Sequence, residues 1–193
     1  LLVTFGLSVI IQNALLEGFT ADPQKMNAGA IETASVSVGS LQLGVLPILT
    51  FATAVGVIAA LQWMFYNTAL GRAFRAVSDN QEIAQLMGLN RRHIFGLAMG
   101  LALGVTAIAG IFLGIRTSFD PSAGASRLIF GFEAVIIGGL GNLWGTLAGG
   151  IILGVSQTLG AKIDPGYQIL AGHIAFLVVL AVRPQGLFPR VSG

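Results

Sequence analysis

Two long apolar runs without any charged residue, 43–66 and 94–115, constrain the fold more than any other feature of this chain. Each run matches the roughly 20 residues that an α-helix needs to cross about 30 Å of hydrocarbon. Lipid offers no water to unpaired backbone groups, so such runs must fold as helices. Only 9% of the residues are charged, against about 25% in soluble domains. The sequence therefore predicts an all-α, polytopic integral membrane protein.

Three further apolar segments, 1–16, 128–161 and 167–182, complete the set of candidate spans. The segment 128–161 is long for a single crossing, contains Glu133 as its one charged residue and has glycines clustered near its middle. It fits either one broken span or two short ones. The chain therefore contains five or six crossings.

Arginines are concentrated in the segment 67–93 and in the tail 183–193. They are Arg72, Arg75, Arg91 and Arg92 in the first, and Arg183 and Arg190 in the second. Short loops rich in Lys and Arg stay on the cytoplasmic side of the membrane. Two cytoplasmic segments require an even number of crossings between them. This favours two short spans within 128–161 that turn near 141–145, and hence about six spans in total.

The polar segment 67–93 also contains the signature of a short helix. Ser78 with Gln81, and Asp79 with Glu82, both have the spacing of a capping box, so two registers are open for the start of this helix. Either register places the start of a helix just before the sequence QEIAQLM.

One face of this short helix is predicted to be apolar. Ile83, Leu86 and Met87 follow the i, i+3, i+4 spacing, Ala84 adds to the stripe, and Gly88 supplies a left-handed stop. Isolated helices below roughly 12 residues are marginal in water. We therefore expect the apolar face to rest on its own protein or on a partner, although a solvated connector whose arginines anchor the flanking helices at lipid headgroups is the simpler alternative.

Several chemistries are excluded or disfavoured by the residues present. The chain has no cysteine and only two lysines, Lys25 and Lys162, neither of which follows a glycine, so the Gly-Lys of a phosphate-binding loop is missing. Neither histidine is followed by glutamate, which removes the HExxH motif of metalloproteases. A net charge of +2, spread thinly, does not indicate nucleic-acid binding. We expect no catalytic residues, no metal site and no cofactor bound by this chain.

A glycine cluster marks the middle of the segment 128–161, and two interpretations fit it. Glycines spaced by four line one helical face and allow close packing of helices. Alternatively, a broken helix exposes backbone that lines a water-filled path. The glycines concerned are Gly138, Gly139, Gly141, Gly145 and Gly149, of which the last three have the spacing of four.

Polar residues within predicted spans are costly in lipid and are therefore candidates for a transport pathway. Glu133 either faces a water-filled cavity or pairs with Arg127 at the interface. Gln12 and Asn13, near the end of the first span, either contact a solute or satisfy each other or a neighbouring helix. His173 is typical of a histidine that donates a hydrogen bond between helices.

Four segments resemble, in the same order, the membrane subunits of branched-chain amino-acid ABC importers, in particular the LivH-type subunit. They are GLSVIIQN at 6–13, GRAFRAVSDNQEIAQLMGLN at 71–90, IIGGLGNLWGTLAGGIILG at 136–154 and RPQGLFPR at 183–190. The motif GNLWG also resembles permeases of the urea and short-amide branch. The resemblance implies that residues 1–193 form a single permease domain, the C-terminal part of a longer chain.

The resemblance also implies how the chain works with others. The segment 67–93 is expected to be a cytoplasmic coupling loop that docks on separate ATPase subunits, which use the ATP. A second permease subunit and an external solute-binding protein are the other expected partners, in a bacterial inner membrane, with branched-chain or related amino acids as solutes. The residues expected at the dock are Asp79, Glu82, Ala84 and Gly88, with Arg72 and Arg75 at its base.

A secondary transporter or channel is the rival hypothesis from another class. An ion-coupled carrier is expected to keep intramembrane carboxylates beyond the single Glu133. Their scarcity favours the importer.

Overall fold

The computed structural model describes residues 2–38 and 41–189, which form nine helices and one β-hairpin. Residues 190–193 of the predicted tail, which include Arg190, lie outside the described residues. In chain order the elements are α1 Leu2–Phe19, α2 Ala30–Thr33, β1 Ser35–Val38, β2 Leu41–Gly44, α3 Val45–Asn67, α4 Ala69–Asp79, α5 Gln81–Leu86, α6 Arg91–Arg116, α7 Ala123–Gly138, α8 Leu143–Ile163 and α9 Tyr167–Val182. The predicted all-α, polytopic membrane fold is confirmed, with the small hairpin as an addition that the sequence did not predict.

Among the described residues, four helices are long and apolar enough to cross a membrane, namely α1, α3, α6 and α8, and α9 is a shorter apolar helix of 16 residues. The segment 128–161 is divided between the two helices α7 and α8. Of the two predicted alternatives, the structure therefore has two separate helices and not one broken helix. The turn between them lies at 139–142, slightly before the predicted 141–145, because Gly145 already belongs to the first turn of α8.

The chain divides into two compact units, Leu1–Asp22 together with Asp120–Gly193, and Pro23–Phe119. In the first unit, α8 packs along both α7 and α9. Ile137 and Leu153 are buried between these helices, whereas many apolar side chains on their outer faces are exposed. Exposed apolar side chains are the expected outer surface of helices whose solvent is lipid.

In the second unit, β1 and β2 pair antiparallel, with Val36 opposite Leu43, and lead directly into α3. The helix α4 packs against both α3 and α6. Its sequence ALGRAFRAVSD alternates apolar and charged residues at helical spacing, and this pattern buries Phe74 and Val77. These two side chains form a small core with Ala84 of α5 and Ile94 of α6, which fixes the positions of α4 and α5 at the end of the spans.

Candidate functional site

The helix α4 begins directly after α3 because Thr68 caps it. The Thr68 hydroxyl oxygen accepts a hydrogen bond from the N–H of Gly71 at 3.1 Å. Gly71 is buried against the end of α3, where a Cβ would overlap the carbonyl oxygens of Met64 and Phe65. A glycine is therefore required for α4 to turn this closely onto α3.

The two arginines of α4 have different surroundings. Arg75 is half-buried, and its guanidinium carbon lies 5.3 Å from the centre of the Tyr66 ring. Such a cation–π contact contributes about 0.5–1 kcal/mol at an exposed site. Arg72 is exposed. Because α4 follows directly after α3, both arginines lie close to the end of this long span.

The cap of α5 is Asn80, so the predicted caps Ser78 and Asp79 are wrong. The Asn80 side-chain oxygen accepts hydrogen bonds from the N–H groups of Glu82 at 3.0 Å and Ile83 at 3.1 Å. Ser78 and Asp79 instead complete α4, because the buried face of α4 continues through Val77. Asn80 is the residue between the helices with extended backbone angles, which an N-cap requires.

The end of α5 has the predicted left-handed glycine. Gly88 has φ +85°, its N–H donates to the Gln85 carbonyl at 2.9 Å, and the N–H of Leu89 donates to the Ala84 carbonyl at 3.0 Å. This pair of hydrogen bonds defines a Schellman motif. Leu89 also packs against the small core, so the end of α5 is fixed by both its backbone and its side chains.

The predicted apolar stripe of α5 is divided between two environments. Ala84 is 4% exposed and belongs to the core, but Ile83, Leu86 and Met87 are 59%, 87% and 79% exposed. We call these three exposed residues the α5 patch. The carboxylate residues Asp79 and Glu82 are also exposed. A shallow cleft of 320 Å³ lies between the end of α5 and the start of α6 and is lined by Gln85, Gly88, Leu89, Asn90, Arg91 and Arg92.

The predicted glycine positions divide into a packing group and a turn group. Gly138, Gly145 and Gly149 lie where α7 crosses α8, and a Cβ at Gly149 would overlap the Ala134 carbonyl oxygen. Gly139 and Gly141 lie in the turn with φ +100° and +83°. Gly141 is therefore not part of a helical stripe with Gly145 and Gly149, because α8 begins after it.

The turn at 139–142 is joined to the tail of the chain, a relationship that the sequence did not predict. The N–H groups of Leu187 and Phe188 donate to the carbonyls of Ile137 and Gly138 at 2.8 and 3.1 Å. These carbonyls end α7 and have no partner within the helix. The tail supplies that partner, so the described residues 183–189 lie against the end of α7.

Glu133 and His173 form a side-chain pair that connects α7 to α9. Glu133 is 5% exposed, and its Oε1 contacts His173 Nδ1. The His173 ring stacks on Phe130 with centroids 5.9 Å apart. The alternative pairing of Glu133 with Arg127 is not found among the described residues. The sequence contained the two polar groups in apolar helices, but nothing in it indicated that they meet.

The remaining candidates lie on α1. Asn13 is exposed and its side-chain amide donates to the Val9 carbonyl of the same helix at 2.8 Å. Gln12 is half-buried. The two side chains are not hydrogen-bonded to each other in the described structure, so the prediction that they satisfy one another is not supported by this geometry.

Comparison with known proteins matches residues 1–182 to the family described as branched-chain amino acid transport system / permease component. The chain is 26% identical over 195 residues to the high-affinity branched-chain amino acid transport system permease protein BraD of Pseudomonas aeruginosa, covering 98% of this chain and 64% of that protein. It is 30% identical over 200 residues to the corresponding permease LivH of Salmonella typhimurium, covering 98% and 63%.

A sugar permease is also similar. The ribose import permease protein RbsC of Haemophilus influenzae is 26% identical over 188 residues, which cover 90% of this chain and 58% of that protein. The chain thus spans somewhat less than two thirds of the length of these relatives. No solved structure matches it.

Proposed function

The chain belongs to the family of branched-chain amino-acid transport permease components, and on that premise we propose that it is part of the membrane subunit of an ATP-driven importer. The solutes are branched-chain or related amino acids, the class for which BraD and LivH are named. A binding protein outside the membrane delivers the solute, and a second permease subunit completes the path. Separate ATPase subunits hold the nucleotide.

The α5 patch is the observation that supports this proposal best. Ile83, Leu86 and Met87 lie side by side on a helix in a polar segment, and each is more than half exposed. Burying one such side chain contributes about 1.5–3 kcal/mol, so leaving three of them in water is costly unless a partner covers them. Exposed apolar patches rimmed by polar residues mark interaction sites. Here Asp79 and Glu82 are exposed polar residues close to the patch in sequence.

The contacts that hold α5 in place suit a helix that transmits movement from a partner to the spans. Ala84 is buried in the core that α4, α5 and α6 share. The Asn80 cap and the Schellman motif at Gly88 fix the two ends of α5. A helix held in this way moves as a rigid body with the spans behind it. The partner that covers the patch is the ATPase subunit, and Arg72 and Arg75 lie at the base of this dock.

The orientation follows from charge. The segment 67–93 and the tail are cytoplasmic because they contain the clustered arginines, and the membrane is the bacterial inner membrane. The contact of Leu187 with Ile137 puts the turn at 139–142 on the same side as the tail. This agrees with an even number of crossings between 67–93 and the tail, which are α6, α7, α8 and α9.

We propose that the pathway does not run between α7 and α8. Gly145 and Gly149 hold the backbones of these helices too close together for water to pass between them. We therefore propose that the glycines serve helix packing. Gln12, Asn13 and Glu133 remain the candidates for the pathway, because polar side chains are kept within spans where they face protein or water.

The test is the complete permease in nanodiscs with its neighbouring ATPase subunits and a panel of solute-loaded binding proteins. We expect branched-chain amino-acid carriers to stimulate ATP hydrolysis most. Stimulation by urea or short amides alone would assign the chain to that branch of the family. If no ATPase subunit binds, or if uptake follows an ion gradient without ATP, the importer proposal is wrong.

Variants of the α5 patch make the test specific. Leu86→Ser and Glu82→Lys are expected to uncouple ATP hydrolysis from uptake while the protein still inserts in the membrane. Gln81→Ala is the matched control, because Gln81 is exposed on the same helix and belongs neither to the patch nor to the lining of the cleft. Equal transport by all three variants contradicts the docking assignment.

A further inference from the structure

The start of α6 places two arginines at the depth of lipid headgroups. Arg91 and Arg92 begin the helix, and the uncharged run 94–115 follows them. At 1.5 Å per residue this run is about 33 Å long, which matches a hydrocarbon thickness of about 30 Å. Both arginines precede the run by less than one helical turn. They therefore lie in the headgroup layer, which is about 5–8 Å thick on each side of the hydrocarbon.

The cleft between α5 and α6 is a concave surface that contains both of these arginines. It has a volume of 320 Å³, and none of the six described residues that line it is acidic. Leu89 lines the cleft and also packs against the small core of this unit, and Ile94 belongs to that core. The packing of the unit thus holds the end of α5 and the start of α6 in place around the cleft.

The positive charges of the cleft are not neutralised within the protein. Among the described residues, neither Arg91 nor Arg92 forms an ion pair. The Asn90 side-chain oxygen already accepts hydrogen bonds from the backbone N–H groups of Arg92 at 3.1 Å and His93 at 3.3 Å. The cleft therefore offers an anion its guanidinium groups and not these backbone N–H groups. A guanidinium binds two oxygens of a phosphate group with parallel hydrogen bonds.

The exposed side chains that follow the arginines favour a lipid over a soluble anion. Phe95, Met99 and Leu103 follow Arg92 at i+3, i+7 and i+11, which is the spacing of one helical face. Each of the three is at least half exposed. This face has a cation at headgroup depth and apolar side chains at hydrocarbon depth, so it matches both the phosphate and the acyl chains of a phospholipid. A soluble anion or an acidic protein segment matches only the arginines.

We propose that the cleft between α5 and α6 binds the phosphate of an anionic phospholipid, whose acyl chains lie along Phe95 and Met99. The cytoplasmic leaflet contains anionic lipids, and basic pockets at this side of the membrane bind their headgroups. A bound headgroup connects the end of α5 to the start of α6. The proposal uses the cytoplasmic orientation proposed above, but it depends neither on the solute nor on the energy source.

Lipid selectivity tests the headgroup. The full-length permease with its ATPase subunits, in neutral detergent, is titrated separately with phosphatidylglycerol and phosphatidylethanolamine, and native mass spectrometry gives the Kd of the first bound lipid. We expect phosphatidylglycerol to bind more tightly. Arg91→Gln and Arg92→Gln should each raise its Kd about fivefold, the contribution of one arginine near an anionic surface.

Arg116→Gln is the matched control, because it removes the same charge at the other end of α6 and should leave the Kd of phosphatidylglycerol unchanged. A wild-type complex without a preference for phosphatidylglycerol overturns the proposal, as does an equal Kd in the wild type and in both cleft variants. Excess inorganic phosphate should not displace the lipid, because it has no acyl chains. Displacement assigns the cleft to a soluble anion and also overturns the proposal.

Photo-cross-linking tests what covers the exposed face of α6. Phe95→benzoylphenylalanine in the complete permease, in nanodiscs that contain phosphatidylglycerol, is expected to cross-link to lipid. The yield should fall when Arg92→Gln is added and stay the same when Arg116→Gln is added. Cross-linking to the second permease subunit, to the ATPase or to another part of the chain overturns the proposal. Neither experiment measures transport, so failure of the import function, seen as the absence of ATP-dependent uptake, is a separate result.

Discussion

Asn142 donates a hydrogen bond from its side-chain amide to the main-chain carbonyl of Phe188 at 3.0 Å, across 46 positions of the sequence. The oxygen of the same side chain accepts from the N–H of Gly145 at 3.0 Å and caps α8. One residue therefore begins α8 and holds the tail. The tail in turn pairs with the last carbonyls of α7.

The double role of Asn142 predicts different results for two substitutions. Asn142→Ala removes both hydrogen bonds, and loss of the cap alone costs about 1 kcal/mol. Asn142→Asp keeps an oxygen for the cap and loses the amide that binds Phe188. We expect a lower unfolding temperature for Asn142→Ala than for Asn142→Asp, and faster proteolysis of the tail in both. Proteolysis at the wild-type rate in both variants would mean that the amide does not hold the tail.

The packing of α7 on α8 predicts that Gly149→Ala is harmful and Gly150→Ala is not. A Cβ at Gly149 would overlap the Ala134 carbonyl, whereas a Cβ at Gly150 meets no atom within 4 Å. Overpacking costs about 1–3 kcal/mol, so Gly149→Ala should lower the unfolding temperature in detergent. Gly150→Ala should be close to wild type or slightly more stable, since alanine favours helix. Equal unfolding temperatures would contradict the observed crossing of α7 and α8.

The backbone angle of Gly88 predicts a graded series of variants. A β-branched side chain at φ +85° is strained, and the left-handed conformation costs about 1–2 kcal/mol for ordinary residues. Asparagine tolerates this conformation better. We expect Gly88→Val to reduce ATP-coupled uptake strongly while Gly88→Asn retains most of it, as measured in proteoliposomes. Since no atom lies within 4 Å of the added Cβ, an equal loss in both variants would point to a direct contact with a partner.

The pair Lys25–Glu32 predicts a measurable pKa shift outside the spans. The hydrogen bond from Lys25 Nζ, 3.1 Å from Glu32 Oε2, and then the one from the N–H of Ala28 lower the pKa of Glu32. A lowered pKa means that this interaction is complete at neutral pH and is lost as the pH falls through the folded-state pKa. A ¹³C NMR titration of the Glu32 carboxyl carbon should show a higher pKa in Lys25→Met. Lys25→Arg, which keeps a donor, should stay near wild type, and an identical pKa in all three proteins would contradict the pairing.

The helical spans were predictable because each depends on a local property. The uncharged run at 43–66 became α3, and the run at 94–115 became most of α6. The left-handed stop at Gly88 was predictable for the same reason, because a glycine that follows an apolar stripe is a local signal. The hairpin β1–β2 was not predicted, although SVSV at 35–38 and LQLG at 41–44 alternate polar and apolar residues on either side of a Gly-Ser pair, which is a local hairpin signal.

The start of α5 was predicted at the wrong residue because two local signals competed with a tertiary one. Ser78 and Asp79 both have capping-box spacing, but Val77 is 1% exposed in the core. Burial of Val77 keeps α4 helical through Asp79. The cap then passes to Asn80, a residue of equal capping preference.

The sequence by itself determined that this chain lies in a membrane, approximately where α3 and α6 begin and end, and that a capped helix interrupts the spans. These features depend on hydrophobicity and on spacings of three or four residues, and both can be read directly from the sequence. Only the tertiary structure decided that Ala84 is buried while Leu86 is exposed, and that Glu133 meets His173. Such contacts depend on how helices pack against one another, and the spacing of residues within one helix does not specify which residue of another helix will face it.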